Sequence, residues 1–209
     1  LQINYLGYPG TMGSKIFDYI IADKIIIPKE NINYFSEKVI YLPNCYQANQ
    51  ERIDLSGKRL NKKDFNLPNN HFIFGCFNNG YKITPTIFKS WMNILKKCEK
   101  SVLWLLQDNE KGRQNLYREA EINGVNKNRI IFAERMPTKE HLKRLQFIDL
   151  FLDTFPYNAH TTASEAIRVG VPILTLKGQS FASRVASSIL TNVGLESLIT
   201  TNNKNYENK

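Results

Sequence analysis

Short apolar runs alternate with amphipathic stretches along most of the chain, and this alternation sets the fold class. The runs His71–Phe77, Ser101–Leu106, Arg129–Phe132, Ile148–Leu152 and Pro172–Leu176 are largely continuous, as expected of parallel strands covered on both faces. Pro85–Lys97, Asn115–Asn123, Lys139–Gln146, Ala163–Val169 and Ala182–Val193 read as helices. Ile87, Trp91, Ile94 and Leu95 make one apolar stripe at spacings of three and four. Strand–helix alternation of this kind predicts an α/β fold built on a doubly wound, Rossmann-like parallel sheet with right-handed crossovers.

Ahead of this rhythm lie three short strand patterns, Gln2–Leu6, Tyr19–Ala22 and Val39–Leu42, with a helical turn opening at Pro28. From Asn44 to Asn70 the pattern lapses into polar residues, lysines and Pro68, which reads as an irregular connection. The expected division is residues 1–45, a linker over 46–70, and a larger unit over 71–209.

Composition narrows the function classes. The 42% hydrophobic and 22% charged fractions are those of a globular chain. No apolar run approaches the roughly 18 residues of a membrane span, so no membrane partner is expected. The net charge of +9 invites a nucleic-acid reading. Lys and Arg are scattered, however, with clusters only at Lys58–Arg59 and Lys62–Lys63, and the richness in Asn, Ile and Lys reads as coding bias. No nucleic-acid partner is expected, although a basic chain suits an anionic small ligand. Cys45, Cys76 and Cys98 lie far apart without zinc-type spacing, which suggests free thiols in a reducing cytoplasmic setting. The chain opens at Leu1 inside a strand pattern, as a piece of a longer protein would.

Candidate chemistry gathers where the strands end. In Leu152–Pro172 a strand runs through a polar turn into a helix, with His160, Thr161 and Thr162 at the helix start. Free N–H groups and the positive end of the macrodipole make such a start a seat for phosphate. Thr162 and Glu165 also have the spacing of a capping box, which leaves His160 and Thr161 unexplained. After His71–Phe77 comes Asn78-Asn79-Gly80-Tyr81-Lys82. Lys82 there is either a point charge for phosphate oxygens or a solvated lysine beside an Asn-Gly turn. In Arg135–His141, Thr138 suits an N-cap, and His141 and Arg144 share a helix face at i,i+3. That pair is either part of a capped helix with a surface histidine or a bracket for a planar base. The loop Gly7–Gly13 permits close backbone approach and positive φ and fits neither the dinucleotide nor the P-loop pattern. No Asp-x-Asp pair occurs, so no metal is expected. The charge of a leaving diphosphate would fall to Lys82 and the helix start.

Several blocks together resemble the catalytic region of O-linked N-acetylglucosamine transferases. They are Leu6-Gly7-Tyr8-Pro9-Gly10-Thr11, Tyr81-Lys82-Ile83, Ser101–Leu106, Asn128–Phe132, Asp153 with His160-Thr161-Thr162, and Ala182–Ala186. They stand in the family's order and span nearly the whole chain. The resemblance implies a GT-B fold, two Rossmann-like halves facing across a cleft. The chain would supply the tail end of the first half and most of the second, with tetratricopeptide repeats upstream and, as in bacterial relatives, no intervening domain. It implies an inverting transfer of a sugar, N-acetylglucosamine, from a UDP-sugar donor to Ser or Thr of a protein or peptide acceptor, without a cofactor. Alternatives are an asparagine-linked glucosyltransferase of the same family, a nucleotide-sugar-binding fragment without activity, and a UDP-sugar epimerase.

By the same resemblance, Lys82 contacts the diphosphate and is the catalytic residue, and His160, Thr161 and Thr162 hold the diphosphate. His141 and Arg144 lie against uracil, the backbone at Met136 reads its edge, and Glu165 binds ribose. Leu6, Gly7 and Pro9 line the sugar pocket. Asn79 stands where a Gln often contacts phosphate. Thr138 stands where some relatives carry a ribose-facing Lys, with Lys139 beside it. The family's candidate base groups precede Leu1.

Overall fold

The computed structural model describes residues 1–49 and 53–209; residues 50–52 of the expected linker lie outside the described residues. The first 45 residues build a three-stranded parallel sheet from β1 (Ile3–Asn4), β2 (Tyr19–Ala22) and β3 (Lys38–Tyr41), in that order. The strand expected over Gln2–Leu6 shrinks to two residues. The chain has left the extended conformation by Leu6, whose φ is 58°, a left-handed value rare outside glycine.

The second sheet contains β4 (Phe72–Cys76), β5 (Ser101–Leu106), β6 (Ile130–Ala133), β7 (Leu150–Leu152), β8 (Ile173–Leu176) and β9 (Ile199–Thr200). Its order is β6-β5-β4-β7-β8-β9 and every pairing is parallel. The winding direction reverses between β4 and β7, and the crevice beyond the carboxyl ends at such a reversal is where open α/β sheets bind ligands. β5 and β8 are buried throughout, and Trp104 of β5 and Trp91 of α1 (Pro85–Lys97) are fully buried. Gly75 interrupts apolar β4 because a Cβ there would run into the Ile148 side chain.

Several helix boundaries depart from the sequence reading. α2 (Glu110–Ile122) starts five residues ahead of Asn115, with Asn109 accepting from the Gly112 N–H at 2.7 Å. Its first turns are polar and only Ala120 is buried, so apolar periodicity gave no signal there. α3 (Thr138–Leu145) takes Pro137 as its N-cap without a side-chain cap bond, so Thr138 lies inside the helix rather than capping it. α4 (Thr161–Arg168) begins two residues before Ala163, and α5 (Val185–Asn192) three residues after Ala182. Before α5, Ser180 and Ser183 close a separate 3₁₀ turn by reciprocal bonds of 3.0 and 3.3 Å. β9 and α6 (Asn203–Asn208) were too short and polar to read, yet Tyr206 of α6 is buried against Trp91.

The irregular connection is strapped onto the second sheet's helices. Lys139 Nζ donates to Asp54 at 2.5 Å and Ser56 at 2.9 Å, and Lys143 Nζ to the Lys58 carbonyl at 3.0 Å. Phe65 packs against Trp104 and Phe147. The two sheets are tied together through the buried Asp23 carboxylate, which accepts from Ser188 Oγ at 2.6 Å and Tyr46 N–H at 2.9 Å. Tyr46 meets Phe181 edge to face at 5.3 Å. These contacts set the Leu6–Pro9 loop across from the start of α4. Among the described residues, no helix is long and apolar enough to cross a membrane.

Candidate functional site

At the β4/β7 reversal the first residues beyond each strand bond to one another. Asn78 Nδ2 donates to Thr154 Oγ1 at 2.7 Å and to Asp153 Oδ1 at 3.4 Å. The Asp153 carboxylate, fully buried, also accepts from Thr154 N–H (2.7 Å), Ala159 N–H (2.6 Å) and Thr175 Oγ1 (2.6 Å). Asn158, also fully buried, donates to the carbonyls of Thr154 at 2.8 Å and Leu176 at 3.3 Å. The turn from 153 to 160 is therefore fixed by its own buried polar side chains, through the Asp153 carboxylate and the Asn158 amide N–H groups. Desolvation raises the Asp153 carboxyl to about 7, against the pull of the Thr175, Ala159 and Thr154 hydrogen bonds and the Lys82 charge.

This turn delivers the start of α4. The first intrahelical bond runs from Ser164 N–H to the His160 carbonyl at 3.0 Å, so the N–H groups of Thr161, Thr162 and Ala163 have no intrahelical acceptor. His160 is the N-cap without a side-chain cap bond, which overturns the capping box. Thr162 and Glu165 both lie within the helix, and Glu165 Oε2 instead faces His141 Nε2 at 3.7 Å. His160 Nε2 lies 3.2 Å from the Ala182 carbonyl, which requires the proton on Nε2 and leaves Nδ1 an acceptor. Burial holds this imidazole down at about 4, with the nearby Lys82 charge acting in the same direction and the Ala182 carbonyl opposing; it is neutral at pH 7.

Lys82 closes the 3₁₀ turn Gly80–Lys82 after β4. Its ammonium donates to the Asn158 carbonyl at 2.9 Å and lies 3.9 Å from the centroid of the Tyr157 ring. Burial lowers its pKa, while the Asp153 charge opposes. The lysine is thus held by the turn, not left to solvent.

Two cavities open on either side of it. One, of about 380 Å³, lies between the two sheets and is lined by Leu6, Gly7, Pro9, Tyr157, His160 and Thr161 among others. The second, of about 320 Å³, lies over the carboxyl ends of β4, β5 and β6 and is lined by Met136, His141, Arg144, Glu165, Arg135 and Phe77 among others. Asn79, Lys82 and Thr162 line both. Each residue to which the resemblance gives a contact with nucleotide or sugar borders one cavity or both.

At the far end of the second cavity, Arg144 is buried. It donates to His141 Nδ1 at 3.0 Å and to the Glu134 carbonyl at 2.6 Å, and its guanidinium lies 4.6 Å over the Phe77 ring. Burial lowers it to about 10, so it stays charged at neutral pH. His141 meets Phe77 edge to face at 5.3 Å. It is half-buried in a polar–aromatic block rather than a surface histidine.

Sequence reasoning assigned no role to Asn78, Tyr157, Asn158 or Arg135. Position alone marked Asn78 and Arg135, since both follow strand ends at the ligand-binding edge; nothing in the sequence marked the Tyr157 ring face. Lys139, the neighbour considered for a ribose contact, points to Asp54 instead.

Comparison with known proteins agrees with this architecture. The model of glycosyl transferase family 41 matches residues 1–56 and 48–209. The chain is 37% identical over its whole length to a probable UDP-N-acetylglucosamine–peptide N-acetylglucosaminyltransferase, SEC, of Arabidopsis thaliana, covering 22% of that protein. It is 33% identical over 76% of its length to the UDP-N-acetylglucosamine–peptide N-acetylglucosaminyltransferase of Caenorhabditis elegans, covering 14% of it. A variant of the Thermobaculum terrenum O-GlcNAc transferase superposes on the entire chain with a TM-score of 0.88 and 27% identity, covering 39% of that structure. The chain therefore spans about a fifth or less of these curated relatives, and its fold is that of the C-terminal region of a GT-B enzyme. With the family model matched end to end and the fold in agreement, the chain belongs to glycosyl transferase family 41.

Proposed function

We propose that this chain is the UDP-sugar-binding region of an inverting protein glycosyltransferase. The donor is UDP-N-acetylglucosamine and the acceptor a Ser or Thr of a protein. The observation that carries the reading is the sharing of Lys82, Asn79 and Thr162 by two adjoining cavities, which suits a ligand with a nucleoside at one end, a sugar at the other and a diphosphate between.

On this reading uracil lies by Met136, His141 and Arg144, and ribose by Glu165. The diphosphate sits on Lys82 and the N–H and hydroxyl groups of Thr161 and Thr162, with His160 beside it. The sugar faces Leu6, Gly7 and Pro9. As the acceptor oxygen attacks the anomeric carbon, the bond to the diphosphate breaks and charge grows on the leaving oxygen. Lys82 and the helix start are aimed at that charge, where preorganised donors contribute most, and they meet it without a metal ion. Residues 1–45 serve as the end of the first GT-B half, 46–70 as the linker and 71–209 as the nucleotide-binding half. Tetratricopeptide repeats upstream and a cytoplasmic location complete the proposal.

Mass spectrometry of a Ser/Thr acceptor protein incubated with the enzyme and either UDP-N-acetylglucosamine or UDP-glucose tests it. The expected product carries an N-acetylhexosamine mass on Ser or Thr. A hexose on asparagine would favour the glucosyltransferase alternative, and a free epimerised sugar with no modified protein would favour an epimerase.

A further inference from the structure

A nucleoside diphosphate brings at least two negative charges to the junction of the cavities, and Lys82 brings one positive charge. Arg144 is committed at the far end, bonded to the Glu134 carbonyl and His141. Lys139 is turned outward to Asp54 and Ser56. Arg135 differs from both. It follows the carboxyl end of β6 and lines the second cavity. Its Nη2 lies 2.9 Å from Oδ1 of Asn79, one of the three residues shared by both cavities, and 3.3 Å from Asp108 Oδ1. Its side chain is 68% exposed, so it can rotate. Asp108 is fixed from the other side, where it accepts from the Gly80 N–H.

We propose that Arg135 is the second cation for the diphosphate, parked on Asp108 and Asn79 without ligand and transferred to phosphate oxygens when a nucleoside diphosphate binds. The inference rests on the nucleotide reading of the two cavities. An exposed ion pair is weak, whereas a guanidinium fork engages two phosphate oxygens at once and carries its full charge at any working pH. The exchange therefore favours the ligand. It also gives the Asp108 carboxylate a defined effect: it competes with the nucleotide for Arg135.

Calorimetry on the chain with UDP and with uridine separates the outcomes. Arg135→Gln is expected to weaken UDP by about tenfold while leaving uridine unchanged, and to flatten the dependence of UDP affinity on salt. Arg135→Lys should recover part of the loss, and Asp108→Asn, which keeps an acceptor for Gly80, should tighten UDP several-fold. If Arg135→Gln binds UDP as the wild type does, or loses UDP and uridine equally, the proposal is overturned. A wild-type chain that binds neither compound overturns the nucleotide reading itself, and this proposal with it.

Discussion

The Lys82 ammonium donates to the backbone carbonyl of Asn158 at 2.9 Å, across 76 residues of sequence. The lysine comes from the loop after β4 and its acceptor from the turn after β7, so the bond spans the crevice where the sheet reverses. Asn158 is held by its own buried amide, and this fixes where the ammonium rests. The lysine lies in place between the two cavities before any ligand arrives.

Replacing Lys82 tests its electrostatic role. Lys82→Ala in the active enzyme is expected to lower kcat by about a hundredfold or more, the usual cost of losing one preorganised donor at a developing charge. Steady-state kinetics with a saturating UDP-sugar measures it, and near-normal turnover would remove Lys82 from the chemistry.

The Tyr157 ring under the same ammonium should favour its charged form. A cation–π contact of this exposure is worth ~0.5–1 kcal/mol, or about half a pKa unit. Tyr157→Leu should therefore lower the Lys82 pKa by about that much, read by NMR of labelled lysine side chains, and Tyr157→Phe should leave it in place. Asp153, Cys76 and His160 also face this group and are unchanged in both variants. Equal titration in all three proteins would show that the ring face contributes nothing.

His160 gives a pH dependence with a definite sign. Its folded value of about 4 lies below the ordinary 6.5, so the unfolded chain binds the proton first. The stability associated with the neutral imidazole is present above 6.5 and is lost as pH falls toward 4. Asp153, raised to about 7, acts oppositely in part of this window, so the comparison must be made between proteins. Going from pH 7 to 4.5, wild type should lose about 2 kcal/mol more than His160→Gln in denaturant unfolding. Identical pH profiles would contradict a neutral, partly buried His160.

The Asp153 carboxylate collects donors from Thr154, Ala159, Thr175 and Asn78. Asp153→Ala leaves the Thr154 and Ala159 N–H groups and the Thr175 hydroxyl without this acceptor, while Asn78 keeps its bond to Thr154 Oγ1, at an expected cost of about 3 kcal/mol or more. Asp153→Asn, which keeps an oxygen acceptor, should cost less. Urea denaturation of the two variants measures both. A loss within 1 kcal/mol for alanine would mean that the turn is held by other contacts.

The parallel sheet was legible because β5 and β8 are buried throughout and, with β4, read as largely continuous apolar runs. α2 was half missed because its first turns are polar, and β9 and α6 because they are too short to show a period. At the site, the helix start at His160–Thr162 was visible from the strand–turn–helix pattern. The capping-box reading of Thr162 and Glu165 failed because α4 begins earlier, at Thr161, and turns Glu165 toward His141. Thr138 failed as a cap for a related reason: Pro137 already supplies the fixed φ that starts α3. Contacts such as Lys82 on Tyr157 depend on how two distant loops meet, which no local pattern encodes.

A crystal structure of the chain with UDP-N-acetylglucosamine would test the assignment of the two cavities to one donor. The expected result is one ligand spanning both, with uracil at Met136, His141 and Arg144, the diphosphate on Lys82, Thr161 and Thr162, and the sugar toward Leu6–Pro9. A nucleotide bound elsewhere on the chain, or an empty crevice at millimolar ligand, would contradict it.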